Sequence, residues 1–115
     1  MKVRDSEVSS VATKNLIVIG GSCINSAAAT LVGGAYCGSA WTEKTTVGSG
    51  QFLIKSYSGT TATNGLTSEV ALLVAGYEFT DTGNAAIYLT TKVVDTSKGY
   101  IGTTANVAAN EITAA

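Results

Sequence analysis

Histidine is absent from the 115 residues, arginine occurs once, at Arg4, and cysteine twice, at Cys23 and Cys37. Without histidine the chain lacks the usual general base for a serine or cysteine nucleophile. Charge is scarce too: 13% of residues are charged, about half the share of an average globular domain. Seven basic residues against eight acidic ones leave a net charge of −1, with no run of like charge. Nucleic-acid binding requires a phosphate-neutralising basic face, and this composition supplies none. No stretch approaches the roughly 18 apolar residues that span a bilayer, so no membrane span is expected. The start, MKVRDSEVSS, is polar and does not read as a signal peptide; a secreted origin implies a cleaved leader or a longer chain. Two cysteines are too few for a disulfide scaffold. No Asn-x-Ser/Thr site occurs, which argues against conventional N-glycosylation.

The space left by charge is filled by Thr, Ser, Ala, Asn and 13 glycines, with 45% hydrophobic residues overall. That is enough for one core at this length, since a chain of this size buries roughly two-thirds of its unfolded surface. A surface so poor in charge favours association.

Residues 1–14 carry isolated valines without a sustained period and read as an extended arm or edge strand, residues 15–104 as an α/β domain, and 105–115 as a polar tail. Leu16 to Ile19 form a continuous β-branched run ending at Gly20 and Gly21, the pattern of a central strand covered on both faces. Ile24, Ala27, Ala28 and Leu31 then fall on one helical face, with Ser22 placed as the cap and Gly33 and Gly34 as the stop. Residues 35–50 read as a loop anchored by Trp41, 51–57 as a second strand, and 58–65 as a soft linker. EVALLVAGY at 69–77 reads as another buried strand ending in a glycine turn at Gly76. A helix follows it, with Thr80 as cap, Asp81 in the first turn, and Ala86, Leu89, Thr90 and Val93 facing inward. The tail allows one short strand before fraying. The expectation is a small Rossmann-like parallel sheet in the order strand, helix, strand, strand, helix, with the strand-glycine-helix unit present twice, at 16–31 and 70–89.

The first glycine turn admits three readings. Gly20-Gly21-Ser22 at a helix start suits an anion, yet neither G-x-G-x-x-G nor the lysine-bearing phosphate loop is present. Cys23 at that helix start suits a nucleophile, but the phosphatase arginine six residues on is replaced by Ala29. The remaining role is a structural turn. For Cys23 and Cys37 two structural readings stay open on the residues alone. One is a disulfide within reach, across a ~15 Å helix and a ~17 Å return; the other is a pair of buried free thiols. Among the scattered acids only Glu78 and Asp81 come close together, a possible ligand edge at a strand's carboxyl end, where calcium is conceivable although no calcium-loop spacing supports it. The tyrosines and Trp41 do not space as a stacking platform and read as core and interface packing; placed on an exposed face they would suit an envelope polymer.

KNLIVIGGSCINSAAATL, VGSGQFLIKSY and VALLVAGYEFTDTGNAAIYL together resemble the C-terminal region of surface-layer-like (S-layer) proteins of archaea. The likeness runs from about residue 5 to residue 104 and takes in RDSEV, both cysteines and YIGTT. It implies a secreted structural protein of the cell envelope or of an extracellular filament. It brings no catalytic residue and no cofactor. Cys23 and Cys37 match the family's cysteine positions, which favours the disulfide. The chain is far shorter than such proteins. The expected function is self-assembly at the cell surface, with the arm and tail adding strands to neighbouring subunits. The alternative is a small-ligand or nucleotide-binding α/β domain that uses the two glycine turns.

Overall fold

The computed structural model describes residue 7 and residues 15–58, 70–92, 98–103 and 109–113. The arm at 1–14, apart from residue 7, most of the 58–65 linker, and Val93 therefore lie outside the described residues. The elements run β1 (Leu16–Ile19), α1 (Ser26–Val32), α2 (Ser39–Thr45), β2 (Phe52–Ser58), β3 (Val70–Gly76), α3 (Phe79–Thr91), β4 (Lys98–Gly102) and β5 (Asn110–Thr113). The five strands form one sheet in the order β1-β3-β2-β4-β5.

The fold is α/β, but its sheet is mixed. Only β1 and β3 run parallel; β2 lies antiparallel between β3 and β4, and β4 is antiparallel to β5. The Rossmann-like parallel order is corrected by connection length. α1, α2 and β2 all lie in the chain between β1 and β3, a connection long enough for a parallel return, whereas β2 and β3 follow one another among the described elements and pair as antiparallel neighbours. The stretch read as a tail extends the sheet, because β5 pairs with β4 from Lys98↔Thr113 to Ile101↔Asn110.

β3 is an interior strand, between β1 and β2. Its run from Ala71 to Ala75 is wholly apolar and buried, and the alternation of a strand sends its side chains into two layers. Ala71, Leu73 and Ala75 join Val18, Leu53 and the helical residues Ala27, Ala28, Leu31, Val32 and Trp41 on one face. Leu72 and Val74 join Phe52, Ile54, Tyr100 and the α3 residues Ala85 and Tyr88 on the other. Each fully buried Leu, Ile, Val or Phe contributes roughly 1.5–3 kcal/mol.

β1 departs from the sequence expectation. Among the described strands it is an outer one, with Val18 buried under α1 but Ile17 and Ile19 61% and 55% exposed. A β-branched run announces a strand, but not how many of its faces are covered. The stretch 35–50 likewise contains a helix, α2, whose buried residue is Trp41, as the anchor reading required. In α3 the buried stripe is Asp81, Ala85 and Tyr88; Ala86 and Leu89 flank it and Thr90 is exposed. The inward face is thus turned by one residue from the expected one, because Tyr88 reaches over β2 and β4 to stack with Phe52 and Tyr100 at 5.5 and 6.5 Å.

Candidate functional site

The two glycine turns lie side by side at the carboxyl ends of β1 and β3. Gly20 has φ of 126°, a left-handed conformation that glycine adopts without strain, and its N–H donates to the Val74 carbonyl at 2.9 Å. Gly76 is held by space: a Cβ there would stand 2.3 Å from the Asp81 Cβ. α3 therefore starts pressed against the end of β3, which is the packing role of a glycine after a buried strand.

The polar groups of this edge are engaged within the fold. Asn25, and not Ser22, caps α1: its Oδ1 accepts from the Ala27 and Ala28 N–H groups at 2.9 and 3.0 Å, and its Nδ2 donates to the Ile19 carbonyl at 3.1 Å. The first-turn donors that a phosphate would use are occupied. Because α1 begins three residues later than the periodicity suggested, Ile24 falls outside the helix and is 88% exposed.

Ser22 does different work. It is buried, with its hydroxyl accepting from the Tyr36 N–H at 3.1 Å and donating to the Tyr36 carbonyl at 3.4 Å. The next residue along, Cys23, is disulfide-bonded to Cys37, with Cα atoms 4.9 Å apart. Consecutive residues 22 and 23 are thereby tied to consecutive residues 36 and 37. This double rung fastens the segment after α1 back to the turn before it. Both cysteine sulfurs are spent in this link, so Cys23 is not a nucleophile in this state.

Glu78 and Asp81, the possible ligand edge, form a helix cap. Asp81 is buried and its Oδ2 accepts from the Glu78 N–H at 3.1 Å and from the Gly50 N–H at 3.2 Å. Glu78, and not Thr80, is the N-cap residue. Thr82 Oγ1 accepts from the Gly76 N–H at 2.8 Å, closing the turn. The carboxylate positioned for a cation is thus satisfied by two backbone donors, and it fastens the 48–51 turn to α3. Among the described residues no group of three or more acidic or cysteine side chains is arranged for a metal.

A second place was not singled out in the sequence. A groove of about 220 Å³ opens between α1, α2 and β2, lined by Leu31, Val32, Lys44, Thr45, Leu53, Lys55 and Tyr57. Lys44 Nζ stands 5.9 Å from the centre of the Tyr36 ring and Lys55 Nζ 5.6 Å from that of Tyr57, both within cation–π range. Burial pushes the Tyr57 phenol up to about 12. The signal for this groove was the alternation of β2, which puts Leu53, Lys55 and Tyr57 on one face. Trp41 lies in the core at 3% exposure, which removes it as an exposed sugar platform, and its indole N–H has no partner among the described residues.

Among the described residues no helix is long and apolar enough to cross a membrane. Comparison with protein-family models, curated proteins and solved structures finds no match.

Proposed function

We propose that this chain is a structural, self-assembling protein of the archaeal cell surface, the subunit of an S-layer-like lattice or of an extracellular filament, without catalytic activity or cofactor. The observation that carries the reading is a sheet whose two outer strands, β1 and β5, have no further strand beside them among the described residues. Open edges are templates for strand addition; β1 follows the N-terminal segment, and β5 lies within the C-terminal one. Three further features support it: the resemblance of the strand-glycine-helix segments, the disulfide, which suits an oxidising extracellular compartment, and a surface with little charge to keep copies apart. In mechanism, the arm pairs with a neighbouring subunit, and β5, the strand that the tail contributes to its own sheet, offers its outer edge to another. Sedimentation of the unreduced chain against one lacking residues 1–11 tests this: large species from the full chain that vanish on truncation are expected, and unchanged polymers from the truncated chain would contradict the arm's role.

A second reading, a small-ligand-binding domain, draws on the groove. Two lysines leaning on aromatic rings above an apolar floor of Leu31, Val32 and Leu53 suit a compact ligand bearing a carboxylate, such as an acidic sugar. Titration with glucuronate, followed by the amide signals of Lys44 and Lys55, discriminates it; saturable shifts there favour this reading, and their absence removes it.

A further inference from the structure

The exposed large apolar residues among the described ones are Ile17, Ile19, Ile24, Phe79 and Ile87. Ile17 and Ile19 lie on β1, which has no strand on its outer side among the described residues. Their register partners are Leu72 and Val74, so both isoleucines lie on the α3 face of the sheet. α3 covers β3 and β2 on that face and leaves the β1 margin bare. Phe79 and Ile87 belong to α3 itself and lie off its buried stripe of Asp81, Ala85 and Tyr88.

The backbone of this margin is also available. Successive residues of a strand turn their N–H and C=O groups to opposite sides. The Gly20 N–H points at β3, where it meets the Val74 carbonyl, so the polar groups of Ile19 and Ile17 point outward. The Ile19 carbonyl is capped by Asn25 Nδ2, whereas both groups of Ile17 have no hydrogen-bond partner among the described residues. β1 reads Leu-Ile-Val-Ile, without lysine or proline; only its shortness, four residues, and the Asn25 cap at Ile19 limit its edge, and they leave Ile17 open.

We propose that β1 is the docking edge for β1 of a second copy, paired antiparallel about a two-fold axis with Ile17 opposite Ile17. The proposal rests on the self-assembly reading and names its first contact. In that register the two Ile17 residues exchange both backbone hydrogen bonds and sit side by side on the α3 face, and each Ile19 lies diagonal to the other copy's Ile17 and opposite its Asn15. The other edge is a poor match. Glu111 is the register partner of Tyr100, which places it on the same α3 face, and the isoleucines of β1 would have to pack against its carboxylate. A two-fold pair is closed, so it yields a dimer, and growth beyond the dimer requires the terminal segments.

The test uses the full, oxidised chain with Ile17→Cys, whose thiol is the single free one because Cys23 and Cys37 are bonded to each other. A short bifunctional maleimide should cross-link it into dimers in high yield, while Glu111→Cys stays uncross-linked under the same conditions. Ile17→Lys, at a position 61% exposed and therefore tolerant of the change, should weaken dimerisation at least tenfold by sedimentation while leaving circular dichroism unchanged. The chain lacking residues 1–11 should still form the Ile17 cross-link although it no longer polymerises. A chain that associates without an Ile17 cross-link overturns the edge assignment and leaves the assembly reading standing. A cross-link that appears only after residues 1–11 are removed gives the edge to the chain's own N-terminal segment, and overturns the proposal. A chain that stays monomeric at every concentration overturns both.

Discussion

Asp81 shows how a residue that looks functional is consumed by structure. Its buried carboxylate serves the Glu78 and Gly50 N–H groups at once, so Asp81→Ala should cost about 2 kcal/mol in urea unfolding, at the upper end for a lost cap. Its neighbour across the turn, Gly76, has less tolerance: Gly76→Ala puts a methyl into the Asp81 backbone and should cost about 3 kcal/mol. Trp41 carries the opposite signature, a buried indole whose N–H lacks a described partner. Trp41→Phe should therefore cost about 1 kcal/mol, the lost packing being offset by the removal of an orphan donor. Trp41→Ala should cost about 4 kcal/mol. Equal costs for the two would show that the N–H is well satisfied. Tyr57 adds a pH dependence. Its phenol ionises near 12 in the fold against the ordinary 10, so the stability it contributes is fully present below pH 10 and is lost as pH rises towards 12. Urea midpoints at about pH 9 and about pH 11.5 should fall more for the parent chain than for Tyr57→Phe; parallel losses would contradict it.

Among the elements, the link between residues 22–23 and 36–37 holds the α1 side of the molecule together. A disulfide closing a loop of this length contributes about 3 kcal/mol in the chain-entropy account, and Ser22 adds its buried hydroxyl at the same joint. Reduction should lower the unfolding free energy by about that amount without abolishing the sheet, whose hydrogen bonds lie elsewhere. Loss of all cooperative unfolding on reduction would show that the joint is required for the fold itself. This joint was half legible in the sequence. The cysteine pair was within reach of itself, and the resemblance favoured its closure, but Ser22 beside a helix reads first as a cap. What displaced it is Asn25, three residues on, whose amide can both accept from the helix and donate to the Ile19 carbonyl; a hydroxyl has no such span. The buried run at 71–75 was legible as an interior strand because five apolar residues in a row leave no polar face. The run at 16–19 has the same letters and half the cover, because burial depends on sheet order, which four residues do not encode. Sheet direction was equally hidden, since it follows from connections and from the partners of β4 and β5.

At the scale of the whole molecule the layers are unequal. α1 and α2 with Trp41 close one face of the sheet, and α3 closes the middle of the other, leaving the β1 margin and its isoleucines open. Such a molecule offers two outer strands and little charge to hold copies apart, which is the physical basis of the assembly reading. The most direct test is electron microscopy of the purified, unreduced chain across a range of concentrations. Ordered sheets or fibres that appear as concentration rises are the predicted result. A monodisperse monomer at every concentration would contradict the account and turn attention to the groove between Lys44 and Lys55.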